Sequence, residues 1–200
     1  SRDESSHRKS LKEAVSTFDE VLRKFPRSEQ VPQLLSWRAK AYADLGDHAH
    51  AEQDFRRLIA EHPSAPEADS ARMSIAEYAS NRADYSGAIS VLEPLSKKPE
   101  SPFHPFALHQ MAWAHFNRGE ILRAVEYCGR NVQALRARIR NQVASSSDEA
   151  LLENTLLDVA TFEADRVEKE SPAPSAKEVF QAFLALDPGA KLPAMSLRFA

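Results

Sequence analysis

Residues 34–63 read LLSWRAKAYADLGDHAHAEQDFRRLIAEHP. Turned by 100° per residue, the first half places Leu35, Ala39 and Tyr42 on one face, and the second half gives Ala51, Phe55, Leu58 and Ile59 a face of their own. Between the halves, LGDH supplies a glycine able to end one helix and an aspartate able to cap the next. Small residues at Ala39 and Ala51 let two antiparallel helices approach closely. The stretch is predicted to be a helical hairpin. A lone hairpin cannot bury both faces, so others of its kind must stack on it.

The rest of the chain supplies them. Ala14, Ala51, Ala88 and Ala124 recur at spacings of 37, 37 and 36 residues. Four residues beyond each stand Phe18, Phe55, Leu92 and Cys128, and Pro26, Pro63 and Pro99 close the first three copies. Twelve residues upstream of the last three alanines lie Ala39, Ala76 and Ala112. One unit is written several times.

With Leu35, Arg38-Ala39, Tyr42, Ala51, Phe55 and Pro63 in order, the unit resembles a tetratricopeptide repeat (TPR), whose pattern runs Trp, Leu-Gly, Tyr, Ala, Phe, Pro. Arg38 departs from that pattern, as does Arg72 in the next unit. The resemblance implies an all-α fold, a right-handed superhelix of antiparallel helical hairpins. It also implies a non-catalytic scaffold that holds a segment of another protein on its concave wall. The connections FPRSEQVP and HPSAPEA resemble those of repeats in bacterial envelope proteins, namely TolA-associated coordinators and outer-membrane-assembly lipoproteins. That likeness implies a cell-envelope, periplasmic setting within a multiprotein complex, with the cytoplasm as the alternative.

The expected organisation is a polar segment at 1–9, a repeat array over 10–143, a divergent fifth hairpin at 144–189, and the start of a further helix or a cap at 190–200. Units in the array fall at about 10–27, 28–64, 65–100 and 101–143. Ser10-x-x-Glu13 reads as the start of a second helix with no first helix before it, as if the chain were cut from a longer solenoid. Ile121, Val125, Cys128, Val132, Leu135 and Ile139 keep a 4,3,4,3,4 spacing, which extends the last array helix and offers a seam for self-association. Capping boxes are read at Ser146-x-x-Glu149 and Ser175-x-x-Glu178, the latter before Ala176, Phe180, Leu184 and Pro188, a second-helix pattern.

Among 200 residues, 42% are hydrophobic and 28% charged, the net charge is −3 and the pI about 6.2. That balance gives no reason to expect nucleic acid, and the arginines at 130, 136, 138 and 140 read as a solvated flank. No run approaches the 18 apolar residues of a membrane-spanning helix, so direct membrane insertion is not expected. The single Cys128 cannot form an intramolecular disulfide or build a cysteine zinc site. Seven histidines, including His48, His50, His104, His109 and His115, lack metal-ligand spacing. No phosphate loop or nucleophile elbow occurs, so catalytic, cofactor and metal residues are read as none.

The helix FHPFALHQMAWAHFNRGE at 103–120 carries two stripes. Leu108, Met111, Ala112 and His115 match the stacking positions, whereas Phe106, His109, Trp113 and Phe116 lie about 140° round the helix. In the TPR resemblance these are groove positions, joined by Trp37 and Lys40 in the second unit and Met73 and Glu77 in the third. Trp37, Met73 and the aromatic stripe would be apolar anchors, with Lys40 and Glu77 as orienting charges. Two other readings of Trp113 and Phe116 stay open: cover by the fifth unit's first helix, through Leu152, Leu156 or Phe162, and a self-association surface. A helical regulatory domain of a larger enzyme is the third functional class.

Overall fold

The computed structural model of the chain describes residues 2–186. It is built of α-helices: α1 (Arg2–Lys24), α2 (Val31–Asp44), α3 (His48–Glu61), α4 (Pro66–Asn81), α5 (Tyr85–Ser96), α6 (His104–Asn117), α7 (Ile121–Arg140), α8 (Ser146–Lys169) and α9 (Ala176–Leu186). No strand occurs among the described residues. The chain divides into two compact units within α5, one ending at Val91 and the other starting at Leu92. Pro188 and the segment 190–200, together with the side chains of Phe180 and Leu184, lie outside the described residues.

The helix-to-helix turn is the same motif three times, at 37- and 36-residue intervals. Gly46, Ala83 and Gly119 take left-handed φ of 81°, 59° and 76°. In each turn that residue's N–H reaches the carbonyl three back, and the next N–H reaches five back, as in Gly46 to Ala43 (2.9 Å) and Asp47 to Tyr42 (2.8 Å). These bonds satisfy the orphan carbonyls at the helix end. The following acid then opens the next helix: Asp47 accepts from the His50 N–H and Asp84 from that of Gly87. The third turn differs, because Glu120 turns back to accept from His115 Nδ1 at 2.6 Å.

The repeat positions are the core positions. Ala39, Ala76 and Ala112 are fully buried, as are Ala51 and Ala124, with Phe55, Leu92 and Cys128 beside them. In the first unit Leu22, Val31, Leu34, Leu35, Leu58 and Ile75 complete the core, and α2 packs against α1, α3 and α4. In the second, Ala112, Ala124, Cys128, Val159, Phe162 and Val179 form the buried cluster, with α8 lying on α6 and α7. At Gly129 a Cβ would come within 2.6 Å of Leu186 Cδ2, so the missing side chain lets α9 approach α7.

Two sequence expectations shift. Ser10 caps nothing: α1 runs unbroken from Arg2, so residues 2–9 are its first turns, and the Ser10 hydroxyl donates to the Ser6 carbonyl. The capping box of α8 stands one residue earlier than Ser146-x-x-Glu149, at Ser145 and Asp148, because Asp148 also receives Arg138 from α7. The box at Ser175 and Glu178 forms as written, with bonds in both directions.

Candidate partner-binding surface

In the first unit, one stripe of α2 faces outward. Gln33, Trp37, Lys40 and Asp44 recur at 4, 3 and 4 residues and all are exposed, Trp37 to 46%. Trp37 rests its ring against Phe18 of α1, with centroids 6.2 Å apart. On the neighbouring α4, Glu77 and Asn81 are exposed and Ser70, Met73 and Ser74 half-buried. Trp37, Lys40, Met73 and Glu77 therefore belong to adjoining helices of one unit, whereas Ser36, on the flank of the α2 stripe, is buried.

The residue that holds α2 in place is Arg38, where the TPR pattern has leucine. Its guanidinium grips Asp54 of α3 through two bonds, Nε to Oδ2 at 2.7 Å and Nη2 to Oδ1 at 2.6 Å, and reaches Asp19 of α1 through Nη1. Asp54 is nearly buried, and this fork geometry is what makes such burial tolerable. Hydrogen bonding to Asp54, opposed by burial and supported by both acids' charges, holds the Arg38 proton even more firmly than usual. Three helices are thus fixed behind the Trp37 stripe.

In the second unit the aromatic stripe is covered by the chain itself. Phe162 of α8 stacks on Phe116 at 4.4 Å and meets Trp113 edge-on at 5.0 Å, and Trp113 and Phe116 touch edge-on at 5.6 Å. Asp158 Oδ2 accepts from both the Trp113 indole N–H (3.0 Å) and His109 Nε2 (2.7 Å), so that imidazole nitrogen carries a proton. As anchors on an open wall, His109, Trp113 and Phe116 are corrected: α8 supplies an aromatic ring and a carboxylate that meet their apolar and polar atoms. Phe106 is half-buried on the same helix. Phe162 was among the expected covering residues; Asp158 was not, since an acid gives no apolar signal.

The long seam of α7 is also occupied. Cys128, Val132 and Leu135 are completely buried, Ile121 and Val125 half-buried, and Ile139 stands 37% exposed at the end. Burial, with the nearby Asp158 charge, pushes the Cys128 thiol far above its ordinary value and leaves it unreactive. Four further histidines have local structural partners. His50 stacks on Tyr42 and bonds Asp47, His48 lies by Tyr78, His104 Nδ1 donates to the Leu95 carbonyl, and His115 stacks on Tyr127.

Residues 33–65 match the family described as tetratricopeptide repeat. Among solved structures, the chain is similar to nearly identical TPR-like repeats attributed to a putative kinesin light chain of Podospora anserina. Identity is 17% and the TM-score 0.53, with 88% of this chain and 86% of that one covered. A point variant of the same repeats aligns at a TM-score of 0.54 with the same identity and coverage. No curated protein matches the chain in sequence. The fold is all-α, of TPR-like helical hairpins, a fold that typically serves as a non-catalytic scaffold for protein–protein interaction. Neither comparison carries the bacterial-envelope subtype.

Proposed function

We propose that this chain is a non-catalytic interaction scaffold that holds a segment of another protein on the α2–α4 face, with Trp37 and Met73 as apolar anchors and Lys40 and Glu77 as orienting charges. One observation carries the reading: Trp37 is a large aromatic side chain left 46% exposed on a helix that Arg38 ties to α1 and α3. Exposed aromatic side chains on rigid supports are the usual anchors of protein interfaces. The α6 stripe meets Phe162 and Asp158 of α8, and Cys128, Val132 and Leu135 of the α7 seam are buried, which favours the α2–α4 face over either as the surface for a partner. A bacterial cell-envelope setting, on its periplasmic side, is part of the proposal and rests on the form of the connections FPRSEQVP and HPSAPEA alone.

The test is a photo-crosslinking amino acid placed in the full chain at position 37, and at the exposed Gln53 of α3 as control. Discrete adducts from position 37 that are absent from position 53 support the reading. Equal adducts from both, or none from 37, reject it.

A further inference from the structure

We infer that α1 carries a further docking surface, bordered by Trp37, which takes one amphipathic helix of another protein. That helix occupies the place that a first helix holds in the other hairpins. The inference goes beyond the α2–α4 reading and shares only Trp37 with it.

Two observations converge on this place. The first is the burial of the repeat positions. In the first unit α2 lies on α3, and in the second α6 lies on α7. Beneath those first helices Ala51, Phe55 and Leu58 of α3 are buried to 2% exposure or less, and Ala124, Cys128 and Asn131 of α7 are completely buried. Ala14, Phe18 and Val21 stand 37 residues before the α3 set, yet on α1 they are only half-buried. Thr17, at the position where α3 has Asp54 gripped by Arg38, is exposed. Within the first unit α2 is the helix packed along α1, and it leaves this face of α1 without a hairpin partner. The second observation is Trp37. Both α4 and α8 lie against the first helix that precedes them, α2 and α6. For α8 the contact runs through Asp158 and Phe162, which meet His109, Trp113 and Phe116. No first helix precedes α2 in its unit, and Trp37 is left 46% exposed, whereas Ser74, 37 residues later on α4, is half-buried. The Trp37 ring touches that of Phe18, so the open face of α1 and the open face of α2 border one space.

The interface that continues onto this space defines its occupant. Ala39 meets Ala51's helix and Ala112 meets Ala124's, all four completely buried, so a helix seated on Ala14 needs a small residue at its closest approach. Large residues flank the small one on α2, Leu35 four before it and Tyr42 three after, and they set the pattern expected of the occupant. Its source follows from α1 itself. Arg8, Lys9 and Ser10 stand 37 residues before Leu45, Gly46 and Asp47, the turn between α2 and α3, but they are helical. The helix runs straight on where the other hairpins turn, and it does not bring its own chain back over this face. A second copy has no spare first helix to lend among its described residues, since α2 and α6 already lie on α3 and α7.

The experiment selects from a display library of helical peptides of about 18 residues, with a fixed Ala/Glu/Lys background and one randomised face, on the immobilised full chain. Selected peptides are then measured against Thr17→Arg, Trp37→Ala and Glu77→Lys, all at exposed positions, with a thermal melt to confirm folding and sedimentation to give the mass. The expected peptides carry a small residue between large apolar ones at the spacing of Leu35, Ala39 and Tyr42. Thr17→Arg and Trp37→Ala should each weaken them at least about tenfold, and Glu77→Lys should leave them unchanged. Replacing the small residue of a selected peptide by Phe should abolish binding, which a merely adhesive apolar patch would tolerate. Peptides indifferent to Thr17→Arg but weakened by Trp37→Ala and Glu77→Lys overturn this inference and leave the α2–α4 reading standing. Peptides indifferent to all three substitutions overturn both. A parent chain that sediments as a dimer, and as a monomer with Thr17→Arg, gives the face to a second copy and overturns the inference as well.

Discussion

Arg38 shows how a single residue can depart from a repeat pattern and strengthen the repeat. Leucine at this point would only add apolar packing, and Ala39 keeps the close approach; Arg38 instead ties α2 to Asp54 of α3 and Asp19 of α1. The departure was visible in the sequence, but its purpose was not. Asp19 and Asp54 lie 19 and 16 residues away, and no local spacing rule joins three residues on three helices. Removing one partner of such a pair leaves a charge partly out of water. Asp54→Ala should lower unfolding free energy by about 2 kcal/mol in a denaturant titration, short of the largest known losses because Asp19 still holds Arg38. Replacing the pair together, as Arg38→Met with Asp54→Leu, should recover much of that loss. A double variant as unstable as the single would mean that packing, not charge, is at stake. In the aromatic cluster of the second unit, Phe162→Ala should cost about 3–5 kcal/mol, since it strips one ring from both Trp113 and Phe116.

At the scale of the element, turns and caps separate what periodicity can read from what it cannot. The hairpin turn was legible because Gly46 and Gly119 announce it, and its middle copy was found by spacing although Ala83 occupies the left-handed position. A non-glycine residue there is strained by its Cβ. Ala83→Gly should therefore raise stability by up to about 1 kcal/mol, an unusual gain for adding a glycine, read as a higher melting temperature. The α8 start was legible only to within one residue. SSSDE at 145–149 offers two overlapping capping boxes, and the choice between them is made by Arg138 of α7 pairing with Asp148. Ser145→Ala should cost about 1 kcal/mol and Ser146→Ala almost nothing. The reverse pattern, a loss at Ser146 and none at Ser145, would move the cap to Ser146. The fate of the α6 stripe was undecidable for a related reason: an apolar surface looks the same whether a partner or a later helix covers it. What settles the matter is Phe162 and Asp158, 46 residues past Phe116 and 45 past Trp113.

For the whole molecule, charge placement sets the response to acid. Carboxyls distributed along the chain, at Asp47, Glu52, Glu120 and Glu178, are held below their ordinary values. For Glu52, burial pulls upward, but hydrogen bonds from Arg82 and Arg56 outweigh it. Asp47 is lowered by the His50 backbone N–H and then its ring, Glu120 by the His115 ring, and Glu178 by the Ser175 hydroxyl and N–H. A carboxyl that is more acidic folded than unfolded adds stability that is complete above its unfolded value, near 4. That contribution disappears as pH falls through the lower, folded value. All of these groups act in the same direction: Asp47, Glu120 and Glu178 sit at turns and helix starts, and Glu52 ties α3 to Arg82 at the end of α4. The melting temperature should therefore fall steeply below about pH 4.5. Glu52→Gln, which keeps the shape but removes the charge on which Arg56 and Arg82 converge, should melt lower than the parent at pH 7 and lose less on acidification. Parallel melting curves for the two proteins from about pH 7 to pH 3 would show that Glu52 takes no part in the acid response.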